Sequence, residues 1–257
     1  MVNVVKYISN NEILSCSLDN TIKLWNKETE RCIKTINDTG RIICVKLISR
    51  NNLLTGSKDG LIKIWDLDAG AVKKILYGHQ DWVTGLDLLP NGDLISSSAD
   101  MTIKVWNLDK GNFVKSINSH EDFITCLKVL PNNKLASGSN DNLIKIWSLD
   151  GLKVVNTLTG HTGCIFSIEI KSLNEIISCS FDGKMKVWDI LSGECLRTLD
   201  AHTKEILCIR LLPNNRLLSG SIDKTIKIWD LNDFSCVKTL MEHENSVYSI
   251  DFRQKAD

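Results

Sequence analysis

Serine, histidine and aspartate are the residue types of a nucleophilic triad, and this sequence spaces them regularly. His79, His120, His161, His202 and His243 stand 41 residues apart; Asp19, Asp59, Asp100, Asp141, Asp182 and Asp223 keep the same rhythm with one interval of 40. Serines lie between them, so Ser/His/Asp sets recur along the chain. A hydrolytic triad needs one exposed nucleophile and an oxyanion hole; the same trio in four successive places reads as scaffold. Six lysines, Lys23, Lys63, Lys104, Lys145, Lys186 and Lys227, share another register position and could suggest an anion site. One per repeat, they read as positions where an aliphatic stem covers apolar surface and the ammonium snorkels out. The aspartates could be taken for metal ligands, but one per repeat holds them far apart. HExxH, P-loop and GxGxxG patterns do not occur. No catalytic, metal-binding or cofactor-binding residue is expected.

The nine cysteines fall mostly on repeat positions: Cys44, Cys126 and Cys208 on one, Cys16 and Cys179 on a second, Cys32, Cys195 and Cys236 on a third, with Cys164 alone. They read as small strand residues. Their odd number and the lack of CxxC pairs argue against disulfides or zinc. A reducing compartment, cytosol or nucleus, is the expectation. Lys+Arg and Asp+Glu both number 31, which disfavours a broad basic face for nucleic acid. The sequence contains no apolar run long enough to span a membrane, and MVNVVKYISN lacks the pattern of a signal peptide.

The elements that position these residues follow from the period. Tryptophans at 25, 65, 106, 147, 188 and 229 close six copies of one short strand: TIKLW, LIKIW, TIKVW, LIKIW, KMKVW and TIKIW. Alternation puts Thr102, Lys104 and Trp106 on one face and Ile103 and Val105 on the other. Within the repeat that starts at Trp82, strands are expected over 82–89, 93–98, 102–107 and 112–118, split by turns at Pro90-Asn91-Gly92 and Ala99-Asp100-Met101. No helical period is sustained. One such sheet cannot bury both of its faces, so copies must pack on one another.

These residues closely resemble the WD-repeat family over nearly the whole chain. The resemblance implies an all-β fold, a β-propeller of four-stranded antiparallel blades. It also implies a hydrogen-bonded network in each blade, here His79, Ser96, Asp100 and Trp106; His120, Ser137, Asp141 and Trp147; His161, Ser178, Asp182 and Trp188; and His202, Ser219, Asp223 and Trp229. The indole only donates, the carboxylate only accepts, and hydroxyl and imidazole bridge them. The blades of Trp25 and Trp65 lack a histidine before their first strand, Thr39-Gly40 standing near the second blade's place for it, and are expected to lack the full network. The chain is read as a single domain over 1–257, with repeat units near 2–37, 41–77, 82–118, 123–159, 164–200 and 205–241 and a partial unit at 246–253. Residues 2–8 and 246–252 are both expected to be first strands, so the chain is either a six-bladed ring or an incomplete seven-bladed one.

Function should lie where the repeat breaks. Three slots are expected on the face carrying the loops between repeats and the turns before strand three, the face that binds partners by resemblance to the family. They read Arg41, Trp82, Phe123, Cys164, Glu205, Ser246; Ile43, Thr84, Thr125, Phe166, Leu207, Tyr248; and Leu18, Lys58, Ala99, Asn140, Phe181, Ile222. The candidate protein-binding residues are Trp82, Phe123, Phe166, Phe181, Arg41, Lys58, Glu205 and Tyr248, because aromatics and arginine dominate interface energetics. The function so implied is a non-catalytic scaffold docking a peptide or partner domain near Trp82 and Phe123, within a larger complex. The alternative is a substrate-recognition or signalling subunit of a multiprotein complex such as a ubiquitin ligase. A propeller enzyme or a nucleic-acid-associated factor is a weaker reading.

Overall fold

The computed structural model describes residues 2–9 and 11–252, so residue 253 of the partial repeat unit and residues 1, 10 and 254–257 of the single-domain reading lie outside it. The described chain contains 24 β-strands. Blade 1 is β1 (Val2–Tyr7), β2 (Glu12–Ser17), β3 (Thr21–Asn26) and β4 (Arg31–Asn37); blade 2 is β5 (Ile42–Leu47), β6 (Asn52–Ser57), β7 (Ile62–Asp66) and β8 (Ala71–Leu76). Blade 3 is β9 (Val83–Leu88), β10 (Leu94–Ser98), β11 (Thr102–Asn107) and β12 (Asn112–Asn118); blade 4 is β13 (Ile124–Leu130), β14 (Lys134–Ser139), β15 (Ile144–Ser148) and β16 (Lys153–Leu158). Blade 5 is β17 (Ile165–Ile170), β18 (Glu175–Ser180), β19 (Lys184–Asp189) and β20 (Cys195–Asp200); blade 6 is β21 (Ile206–Leu212), β22 (Arg216–Ser221), β23 (Ile226–Asp230) and β24 (Cys236–Leu240). Each blade is a four-stranded antiparallel meander in chain order. The strands group into two compact units, residues 2–119 with 251–252, and His120–Ile250.

The third strand of each blade explains why blades must stack. In β11, Ile103, Lys104, Val105 and Trp106 are all buried, so both faces of the sheet are covered. In the first unit Val83 of blade 3 seats against Gly56 of blade 2, where an added Cβ would lie 2.6 Å from a Val83 methyl. In the second unit Gly138 receives Ile165 in the same way. The missing Cβ lets the next blade's first strand approach the second strand closely. At the rim, Lys34 of β4 donates to the carbonyls of Leu67 and Asp68 at 3.1 and 2.5 Å. Lys74 of β8 likewise reaches Leu108 and Asp109 at 2.8 and 2.7 Å. In the second unit Arg197 of β20 instead lies 4.6 Å from the Phe234 ring centroid. Each clamp joins one blade's outer strand to the next blade's last turn.

Two expectations are corrected. Residues 246–252 do not form a strand. Elsewhere the first strand is held by a ladder to its own second strand, and no second strand follows this segment among the described residues. It still packs like a first strand: Val247 is buried against Gly220 and its amide donates to the Ser221 carbonyl at 3.1 Å. In the first unit Asp251 accepts the Tyr7 amide at 3.1 Å and lies 3.9 Å from the Lys6 ammonium. The strand-three lysines, read as snorkelling, are in part buried. Lys104 and Lys186 donate to Ser116 and Thr198 on the facing fourth strand, both at 2.7 Å. A hydroxyl placed directly opposite removes the need to reach water.

Candidate functional site

Each turn between the second and third strands is built by its aspartate. One carboxylate oxygen accepts the amide two residues on, from Thr102, Leu143, Lys184 and Thr225 at 2.9–3.0 Å. The residue between adopts positive φ: Met101 63°, Asn142 68°, Gly183 75° and Lys224 70°. The other oxygen is then free for histidine Nδ1, at 2.8 Å in Asp100–His79, Asp141–His120 and Asp223–His202 and 2.7 Å in Asp182–His161. Histidine Nε2 meets Ser96, Ser137, Ser178 and Ser219 at 2.7–2.8 Å. The same hydroxyls accept the indole N–H of Trp106, Trp147, Trp188 and Trp229 at 2.7–2.9 Å.

The connectivity Asp–His–Ser is that of a triad, but its protons are fully committed. Because the serine oxygen accepts from tryptophan, its own proton goes to Nε2, which leaves Nδ1–H to donate to the carboxylate. The four serine residues have no exposed surface, so no substrate carbonyl can reach them. Burial lowers the pKa of His79, His120 and His202 against the upward pull of their aspartates. Burial alone would raise Asp182 and Asp223. Bonds from His161 and the Thr162 and Lys184 amides hold Asp182 down to about 2, and bonds from Thr225 and His202 hold Asp223 at about 2. Hydrogen bonds to the charged form win over desolvation here.

Blade 2 solves the same problem differently, in a way the spacing could have revealed. Asp38 lies 21 residues before Asp59, the interval of His79 to Asp100, so an aspartate holds the histidine slot. Asp38 pairs with the Lys63 ammonium, the two side chains being 0% and 3% exposed, and accepts the amides of Thr39 and Gly40 at 2.6 and 3.3 Å. Lys63 faces Ile75 across the ladder, where Lys104 and Lys186 face the hydroxyls they bond, and it donates to Asp38 and to Thr39 Oγ1, the latter at 2.8 Å. Trp65 donates to Thr55 at 2.9 Å, and in blade 1 Trp25 donates to Ser15 at 2.8 Å.

Beside the network of each blade lie the loops that carry the three slots. The first and third slots are neighbours in every blade from 2 to 6: the amides of Lys58, Ala99, Asn140, Phe181 and Ile222 donate to the carbonyls of Arg41, Trp82, Phe123, Cys164 and Glu205 at 2.8–3.0 Å. In the first unit Trp82 is 40% exposed, the Lys58 ammonium sits 4.0 Å from its ring centroid, and Arg41 is exposed. In the second unit Phe123 is 49% exposed, its amide held by Asp122 at 2.7 Å. Phe166 and Phe181 stack at 4.5 Å and 8°, with Phe166 partly buried and Phe181 exposed. Glu205 is partly buried, Tyr248 is exposed and Cys164 is buried. Trp82 and Phe123, read together from the sequence, belong to different units.

A ladder of charges on the first strands was not anticipated, although it keeps the repeat register. Lys46 pairs with Asp87 at 2.5 Å in the first unit. In the second, Glu169 takes Lys128 at 3.1 Å and Arg210 at 3.3 Å. Alternating sign at 41-residue steps was the available signal.

Comparison with known proteins agrees with this geometry. The family model for the WD domain, G-beta repeat, matches residues 2–26, 30–66, 70–107, 111–148, 152–189 and 193–230. The chain belongs to the WD-repeat family. Its six four-stranded sheets are therefore WD-repeat propeller blades. Among solved structures, the chain is similar to the WD40 β-propeller domain of Doa1, with 31% identity, a TM-score of 0.86, and coverage of 97% of this chain and 85% of that one. It is also similar to the computationally designed Ika8 protein, with 26% identity, a TM-score of 0.79, and coverage of 98% and 91%. A WD repeat-containing protein 89 homolog of Dictyostelium discoideum is 44% identical over 45 residues, a stretch that is 17% of this chain and 12% of that protein. WD-repeat propellers typically bind proteins and are generally non-catalytic.

Proposed function

We propose that this WD-repeat chain is a non-catalytic scaffold that docks a peptide or partner domain on its loop face. One observation carries the reading. The positions that keep the repeat are committed to interior hydrogen bonds, whereas the slots that break it hold exposed Trp82, Phe123 and Phe181. Exposed aromatics on an otherwise regular scaffold are the anchors a partner would bury. Catalysis at the Ser/His/Asp sets is disfavoured by their buried hydroxyls. The test is affinity capture with the wild-type chain beside Trp82→Ala/Phe123→Ala. The reading expects the double variant to keep its melting temperature and lose the major captured proteins; retention of all of them would remove it.

A further inference from the structure

In the second unit an open depression of about 540 Å³ lies between the turn Phe181, Asp182, Gly183 and the loop 202–205, with Ile222 at its edge. We propose that it takes the cationic side chain, lysine or arginine, of a basic peptide segment, with the Phe181 ring and the Glu205 carboxylate as its receptor. This deepens the docking reading above and rests on it.

The Phe181 ring is backed by Phe166 in a parallel stack at 4.5 Å, so it is held in place before any ligand arrives. Its π-face attracts cations. The Glu205 carboxylate has no ion pair or hydrogen bond among the described residues, and its loop is fixed by the Ile222 amide on its carbonyl at 3.0 Å. Of the charged residues lining the depression, Asp182 and Glu205 are acidic and Lys204 is basic; the Asp182 carboxylate is held by His161 and the Thr162 and Lys184 amides, which leaves Glu205 to meet an occupant. His202 adds no charge near neutrality, since burial lowers its pKa and its ring nitrogens are committed to Asp223 and Ser219. The balance is net negative. An acidic occupant would meet Glu205 with like charge. A purely apolar one would cover the Glu205 carboxylate without a counter-charge, which is costly. A basic side chain alone satisfies both the ring and the carboxylate. Gly183 and Thr203 are small, which leaves space for its stem.

The experiment uses the whole chain against an array of ten-residue Gly/Ala/Ser peptides whose central residue is arginine, lysine, norleucine or glutamate, with hits re-measured by fluorescence anisotropy. Arginine or lysine peptides should bind about tenfold more tightly than norleucine peptides, the scale of a partly desolvated cation–π contact with an ion pair. Glu205→Gln and Phe181→Ala should each remove most of that preference, and Lys204→Ala should tighten basic peptides. Glu28→Gln, on an exposed turn of the first unit, should leave it unchanged. A preference that survives Glu205→Gln overturns the inference. Array binding with no preference for the cation also overturns it, yet leaves the docking reading standing. Silence across the array overturns it too, while proteins lost from the Trp82→Ala/Phe123→Ala capture would still carry the docking reading.

Discussion

Replacing Asp38 with asparagine should be among the most damaging single changes in this chain. Asp38 and Lys63 have 0% and 3% side-chain exposure. The substitution keeps the volume and still offers an oxygen to the Thr39 and Gly40 amides, but it leaves a buried ammonium without its counter-charge. Removing one partner of such a pair costs about 3–5 kcal/mol, a large part of the roughly 5–15 kcal/mol that a folded protein has to lose. The geometry also supplies the remedy. Lys186 is satisfied by the cross-strand Thr198 hydroxyl at 2.7 Å, and the same register position opposite Lys63 is Ile75. Ile75→Thr added to Asp38→Asn should therefore recover about 1–2 kcal/mol, the worth of one hydrogen bond to a charged donor. On its own, Ile75→Thr should lower stability slightly through lost packing. The assay is urea unfolding of the wild type, both singles and the double variant, with unchanged m-values as the check that midpoints report stability. The reasoning is refuted if Asp38→Asn lies within about 1 kcal/mol of the wild type, or if Ile75→Thr makes both backgrounds equally worse.

Asp141→Ala strips the partner from His120 Nδ1 and from the Glu121 and Leu143 amides, and should cost at least about 2 kcal/mol in the same assay; an unchanged midpoint would contradict the network. Stability should also fall on acidification in two stages. His79, His120 and His202 have folded pKa values below the ordinary 6.5, so the unfolded chain takes up protons first and stability declines as pH drops through about 6.5. Asp182 and Asp223, near 2 when folded and 3.8 when free, add a second loss between those values. Melting temperature measured from pH 8 to 2 should fall in those two steps; a maximum at pH 5 would contradict this order.

The blades were legible because one signal repeats six times. A strand of five or six residues with alternating Ile, Lys and Trp fixes its own pleat, and the Asp two residues before it fixes the turn. Residues 102–107 and 112–118 match β11 and β12 to the residue, whereas 82–89 and 93–98 each run past the ends of β9 and β10. Residues 246–252 carry the side-chain pattern of a strand, SVYSIDF, but a strand also needs a neighbour to bond with, and they form none. The Lys63–Asp38 pair is hidden in the sequence because aspartate, not histidine, fills that slot. Counting 21 residues back from Asp59 finds the slot, and the Lys63 ammonium that Asp38 meets there is seen only in the structure. Burial of Lys104 and Lys186 depends on what faces them across the ladder, which register gives and composition does not. On the loop face, the register of the three slots was readable, while the Phe166–Phe181 stack and the Lys58–Trp82 contact needed coordinates.

The claim that the regular interior is scaffold and the irregular loop face is the binding surface is tested most directly by hydrogen exchange of the chain alone and with its captured partner. The account predicts new protection in the loops around Arg41, Lys58, Trp82, Phe123, Phe181 and Glu205, with the network strands unchanged. Protection confined to the outer strands β4, β8, β12, β16, β20 and β24, with those loops untouched, would contradict it.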